Sequence, residues 1–263
     1  MTGKGENSTC VAARRVDNQS IMIQSFARLC LTAGLLAGCV LGQSVSSESH
    51  ADMGALTQEL QRVDQRDQKM GLFWWIPTEY WEQSAAANGR DRKETKSLFA
   101  PLNDYVVIVV AVGNMGAGSI EWMPESDVRK HIKLRDQAGH LYGPVTEISA
   151  EAQEISDVMK PVFKNILGPM GEGVQFFFFP AKDAKGAEIA NTSRSSEFSL
   201  EVSDVMGLGI KTYTWRLPVS SLLPPKYCPV GKEKVEANWR YCPWHGNKLV
   251  TDPDLTDKPK AKP

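Results

Sequence analysis

The run Tyr105-Val-Val-Ile-Val-Val-Ala-Val112 constrains the fold more than any other stretch. It is continuously apolar and mostly β-branched, with no alternation. Branched side chains are stiff at χ1 and suit a pleated surface, and a strand apolar on both sides must be covered on both faces. The chain therefore has to build a sheet around residues 105–112. Gly173-Val-Gln-Phe-Phe-Phe-Phe-Pro180 is a second strand of the same kind. Residues 197–202 and 210–217 alternate apolar and polar and predict half-exposed strands.

Around these strands the spacing predicts helices. Residues 53–70 place Met53, Leu56, Leu60, Val63 and Met70 on one stripe, read as a packed helix with a short dimerising coiled coil as the alternative. Residues 77–87 start at Pro77 with Glu79 in the first turn and stop at Asn88-Gly89, and residues 91–99 end at Pro101. Ser149 caps a helix over 149–163, with Pro161 ending or kinking it. The aromatic stretch Gly71-Leu-Phe-Trp-Trp-Ile-Pro-Thr-Glu-Tyr-Trp81 reads as core, its indoles finding local acceptors, with a sugar-stacking surface as the alternative. Residues 128–142 read as a hairpin turning at Gly139, across which His131 and His140 can approach each other.

The glycines of Gly113-Asn-Met-Gly-Ala-Gly118, with Asp136 further on, come close to a dinucleotide fingerprint. That fingerprint needs a helix opening at the glycines to hold a pyrophosphate. Pro124 and the strand-like Ile120-Glu-Trp-Met123 argue instead for a turn between strands. The expected class is a β-rich α+β fold, an antiparallel sandwich with helical insertions over 101–217. The order of strands in 100–217 resembles the immunoglobulin-like domains of bacterial surface lipoproteins, and this resemblance implies no catalytic residues.

A proline-rich linker, 218–225, leads to Tyr227-Cys228-Pro-Val-Gly231 and Tyr241-Cys242-Pro-Trp-His245-Gly246. Residues 226–250 resemble a zinc ribbon, in which two Cys-Pro turns converge on one tetrahedral ion. The resemblance implies Cys228, Cys242 and His245 as ligands, with Gly231 standing where the second ligand belongs. The fourth would be water, a distant side chain or a partner's residue. Three readings stay open: a zinc site, a Cys228–Cys242 disulfide, or a metal-free relic held by Trp239, Tyr241 and Trp244. Residues 251–263 form a Pro/Lys/Asp tail.

Ahead of the folded part, Arg28 is followed by the apolar Leu29-Cys-Leu-Thr-Ala-Gly-Leu-Leu36, then Ala37, Gly38 and Cys39. A charged segment, a short apolar run and small residues mark a secretory signal, and the run is shorter than the ~20 residues of a spanning helix. Leu36-Ala-Gly-Cys39 resembles the lipobox of bacterial lipoproteins. The resemblance implies removal of residues 1–38, with translation starting at Met22 as the simplest reading of the long mixed-charge lead. It also implies acylation of Cys39, a membrane anchor through that lipid, and a Ser-rich tether over 39–52 ahead of the helical segments 53–100. Val40, where an aspartate would retain the protein at the inner membrane, implies the outer membrane. Cys10 and Cys30 leave with the signal.

Residues 1–38 hold four of the 30 basic and two of the 31 acidic residues, so 39–263 carries a net charge of −3. That gives no basic field for phosphate backbones, so charge lends nucleic-acid binding no support and none is expected in the leading reading. The expected function is a lipid-anchored envelope protein with a non-enzymatic binding or assembly role, the ribbon contacting an envelope protein. The alternatives are an enzyme with an open metal at Cys228, Cys242 and His245 or a nucleotide at Gly113–Gly118, and a cytoplasmic zinc-ribbon protein that binds nucleic acid.

Overall fold

The computed structural model describes residues 52–116 and 118–252. The opening of the chain, with the Leu36–Cys39 motif and most of the tether, lies outside the described residues, as does most of the tail. Helix α1 (Met53–Leu60) leads into strands β1 (Gln61–Arg66) and β2 (Lys69–Trp75). Helices α2 (Thr78–Ala87) and α3 (Arg92–Phe99) follow, then a 3-10 turn and the long β3 (Tyr105–Met115). After β4 (Ile120–Trp122) come α4 (Glu125–His131), β5 (Ile132–Arg135), β6 (Leu141–Tyr142) and α5 (Ala150–Leu167). Strands β7 (Gln175–Pro180), β8 (Ser196–Val202) and β9 (Lys211–Leu217) complete the main body.

The strands form two antiparallel sheets. In the first, β1, β2 and β3 are a meander, and the other edge of β3 is shared. Tyr105–Val110 pair with β7 and Gly113–Met115 with β4. Eleven residues make β3 long enough to serve both. The second sheet runs β6-β5-β8-β9.

The alternation of β2 shows how the layers stack. Phe73 stacks on Tyr213 with ring centroids 4.7 Å apart. Trp75 meets Phe198 edge-on at 4.9 Å. These odd positions seal the first sheet against the second. Trp74, on the opposite face, meets Tyr80 of α2 and Phe163 of α5, both at 5.4 Å. The first sheet is thus covered by the second sheet on one side and by helices on the other, as the unbroken apolar runs of β3 and β7 require. Burying each such ring contributes roughly 1.5–3 kcal/mol.

Helices α2 and α3 fall where the sequence places them, and Asp91 caps α3 by accepting from Glu94 N at 2.8 Å. Ser149 caps α5, accepting from Ala152 N at 3.2 Å. Pro161 does not end that helix, which runs on to Leu167.

Three expectations are corrected. The stripe over 53–70 is not one helix: α1 stops at Leu60 and the chain reverses through Asp67, whose φ of 55° makes the β1–β2 hairpin. Val63, which the stripe would bury, is 64% exposed. Residues 125–131 are helical, so the predicted hairpin begins only at Ile132. Pro124 precedes Glu125 and Asp127, and Arg129, Lys130 and His131 close the last turn, an order that suits the helix dipole. The 71–81 aromatics are core as expected, but among the described residues Trp74 Nε1 and Trp81 Nε1 find no acceptor.

Candidate metal centre

The C-terminal module is a small hairpin, β10 (Lys226–Tyr227) against β11 (Lys234–Val235), joined by bridges from Tyr227 to Val250 and from Tyr241 to Lys248. Each Cys-Pro turn closes in the same way. Lys232 N donates to Cys228 O at 2.9 Å and Gly246 N to Cys242 O at 2.8 Å. Cys228 N donates to Glu233 O, and Cys242 N to Asn247 O. Lys232 and Gly246 occupy equivalent places, and both have positive φ, 64° and 68°. The glycine that this geometry favours is present only in the second turn. In the first it stands one residue early, at Gly231, and Lys232 takes the left-handed conformation.

The two turns bring Cys228, Cys242 and His245 together, the three residues the sequence nominated. The structure adds a fourth that the sequence did not. Glu233, five residues past Cys228, turns its carboxylate into the same cluster, and all four ligand atoms lie within 4.8 Å of one another. His245 Nδ1 stands 3.3 Å from Cys228 Sγ, 3.5 Å from Cys242 Sγ and 3.4 Å from Glu233 Oε1. Cys242 Sγ is 3.5 Å from Glu233 Oε1. Zinc bonds of about 2.3 Å to sulfur and about 2.0–2.2 Å to nitrogen and oxygen imply tetrahedral edges of about 3.3–3.8 Å, the longest between the two sulfurs. The four separations given above, 3.3–3.5 Å, lie close to the shorter of those edges. Gly231 N also donates to Cys228 Sγ at 3.4 Å.

Burial pushes the Cys242 thiol up, opposed by the backbone amides of His245 and Trp244 and reinforced by Cys228 and Glu233. Glu233 is held low by its own backbone N–H, against burial, with Cys242, Cys228 and His245 adding to the effect. Two thiols and a carboxylate this close repel once ionised, and a dication reverses that balance. Two sulfurs, one imidazole and one carboxylate are a donor set that can hold a metal ion, with zinc well matched in softness and geometry.

Cys228 and Cys242 are both free and buried, so the disulfide alternative is not what this structure contains. The aromatics that the relic reading invokes lie outside the core of the module, with Trp239 38% exposed. The buried cluster is Cys228, Val235, Cys242 and Leu249, whereas Tyr241 and Trp244 are 62% and 68% exposed. A groove of about 620 Å³ runs past Arg92, Ser220, Pro224, Lys234, Trp239 and Trp244, and none of the four cluster residues lines it.

Other nominated residues are dispersed. His131 Nδ1 pairs with Ser203 Oγ at 2.9 Å, while His140 Nδ1 pairs with Asp136 Oδ2 at 3.0 Å, so each histidine has its own partner. The glycines after β3 lead into β4, and the next helix begins at Glu125. Among the described residues no helix opens at these glycines, and the missing Cβ of Gly113 gives room to Ile120 and Trp122. Asp136 closes the β5–β6 turn. The nucleotide alternative thus lacks the geometry it needs.

No family model matches the chain, and no curated protein does. Among solved structures it is similar to a DUF4426 family protein from Pseudomonas aeruginosa, at 13% identity and a TM-score of 0.24. That alignment covers 60% of this chain and 94% of the other. A likeness at that level carries no functional argument.

Proposed function

We propose that residues 226–250 form a zinc-braced ribbon that presents a protein-contact face on a lipid-anchored envelope protein. The observation that carries the metal reading is the convergence of the ligand atoms of Cys228, Glu233, Cys242 and His245 within 4.8 Å of one another. The role is structural. Four protein donors close the coordination shell, whereas catalytic zinc keeps a position open for water. When bound, the ion would cross-brace the two Cys-Pro turns, with Cys228 and Glu233 holding it from the first and Cys242 and His245 from the second.

The contact face is aromatic and basic. Trp239 and Trp244 meet at 6.4 Å with Tyr241 alongside in the chain, and Val230 is 57% exposed. Residues 226–250 carry five Lys/Arg against two Asp/Glu, although 39–263 as a whole is acidic. Aromatic anchors in a basic rim suit a protein partner with an acidic face. The envelope address rests on the lipobox resemblance of Leu36–Cys39, and the facing sheets agree with an immunoglobulin-like carrier domain. Among the described residues no helix is long and apolar enough to cross a membrane.

Chelation tests the structural role. Removal of the ion by a strong chelator is expected to speed amide exchange across residues 226–250 and leave β3 and β7 protected. Exchange unchanged by chelation in metal-loaded protein would contradict it.

A further inference from the structure

Gly231 stands where a zinc ribbon has its second ligand, and its presence looks like the loss of a site. The structure accounts for it differently. Gly231 has no positive φ, so the backbone there accepts any L-residue and does not call for glycine. Space does. A Cβ built on Gly231 would lie closer than 3.0 Å to both Oε2 and Cδ of Glu233, a separation real Cβ atoms do not keep. The volume that a side chain at 231 would fill is taken by the Glu233 carboxylate.

We infer that Glu233 is the fourth metal ligand and that Gly231 is the vacancy that admits it, so the centre is a two-thiolate, imidazole and carboxylate site rather than a weakened three-ligand one. This inference rests on the metal reading above. The equivalent pair in the second turn is His245 and Asn247. There the ligand comes from the third residue after the cysteine; in the first turn it comes from the fifth. Glu233 can reach because its backbone carbonyl is fixed by Cys228 N at 3.0 Å, which holds the start of its side chain beside the first turn. The side chain then points its Oε1 at Cys242 Sγ and His245 Nδ1. A carboxylate is a harder donor than the thiolate it replaces, so the ion is held less tightly than in a three-cysteine centre.

The inference makes residues 231 and 233 exchangeable. Any side chain at 231 displaces a flexible carboxylate, at little cost to the fold, and a ligating one restores the count. The experiment is a zinc competition titration against a chromophoric chelator on the full chain, with cobalt(II) absorption as a second readout. Glu233→Ala is expected to weaken zinc binding by about 10-fold or more, since even outer-shell partners of a metal act on a 10–100-fold scale. Gly231→Ala should match it, and the double variant Gly231→Ala/Glu233→Ala should be no weaker than either. Gly231→Cys should bind at least as tightly as the native chain, with a stronger sulfur-to-cobalt band from a third thiolate. In that background Glu233→Ala should change nothing. A native chain that binds zinc with undiminished affinity after Glu233→Ala overturns the inference and leaves the metal reading standing. Additive losses from Gly231→Ala and Glu233→Ala overturn the exchange between them. A native chain that binds no zinc removes the metal reading and this inference with it.

Discussion

Trp215 Nε1 donates to the main-chain oxygen of Leu60 at 2.8 Å, tying the second sheet to the end of α1. Leu60 is the last residue of that helix, where carbonyls lack intrahelical partners. Trp215 also stacks on Phe198 at 5.2 Å. Trp215→Phe keeps most of the ring and strands the carbonyl. It is expected to lower stability by about 1–3 kcal/mol in denaturant unfolding, with the slope unchanged.

Glu59 holds the approach to the ribbon. Its two carboxylate oxygens accept from Ser220 N at 2.6 Å and Ser221 N at 2.8 Å. Ser220 Oγ donates to Glu236 Oε2 and accepts from Ala237 N. The linker is thereby hydrogen-bonded on both sides. Charged hydrogen bonds of this kind contribute about 1.5–3 kcal/mol. Glu59→Ala should speed exchange of the Ser220 and Ser221 amides by about 10–100-fold.

Asp136 ties its own turn. It accepts from His140 N at 2.8 Å and from the Tyr142 hydroxyl at 2.9 Å. Burial alone would raise its carboxyl, but the hydrogen bonds from His140 and Tyr142 and the His140 charge outweigh it and hold the group low. A depressed carboxyl stabilises the fold above its ordinary range, and that contribution is lost as pH falls through the folded value. Tyr142 moves the opposite way. Burial, then the Asp136 hydrogen bond and charge, push its hydroxyl from 10.0 up to about 12. Its contribution is present below 10.0 and lost as pH climbs through about 12. Asp136→Asn should therefore flatten the acid limb of the stability profile and return Tyr142 towards 10.0 in an alkaline absorbance titration, with Tyr142→Phe identifying the signal.

Acylation of Cys39 is tested by metabolic labelling with a radioactive fatty acid in a bacterial host. The native chain is expected to take up label and Cys39→Ala to take up none. Equal labelling of both, or of neither, would contradict the anchor.

The elements legible in the sequence are those whose local and tertiary demands agree. β3 and β7 are apolar on every position because both faces are covered, and Ser149, Asp91 and Asn88-Gly89 mark helix ends by backbone chemistry alone. The 53–70 stripe misled because apolar residues at 3/4 spacing run on past Gln61, while the reversal rests on one left-handed residue, Asp67, that carries no glycine signal. Residues 125–131 had the charge order of a short helix, hidden by the alternation of Ile132 and Leu134 just beyond. At the candidate metal centre, Cys228, Cys242 and His245 follow from the resemblance of the two Cys-Pro turns to a zinc ribbon. Glu233 does not, because its place depends on the path of a side chain into room left by Gly231. The misplaced glycine, one residue earlier than its counterpart Gly246, was the only mark of it.

The most direct test of the account is elemental analysis of the native chain, purified without added chelator, alongside mass spectrometry of its cysteines. The account predicts one zinc ion per chain, with Cys228 and Cys242 as thiols that become reactive when the ion is withdrawn. A chain that carries no metal and is found with Cys228 bonded to Cys242 would contradict it.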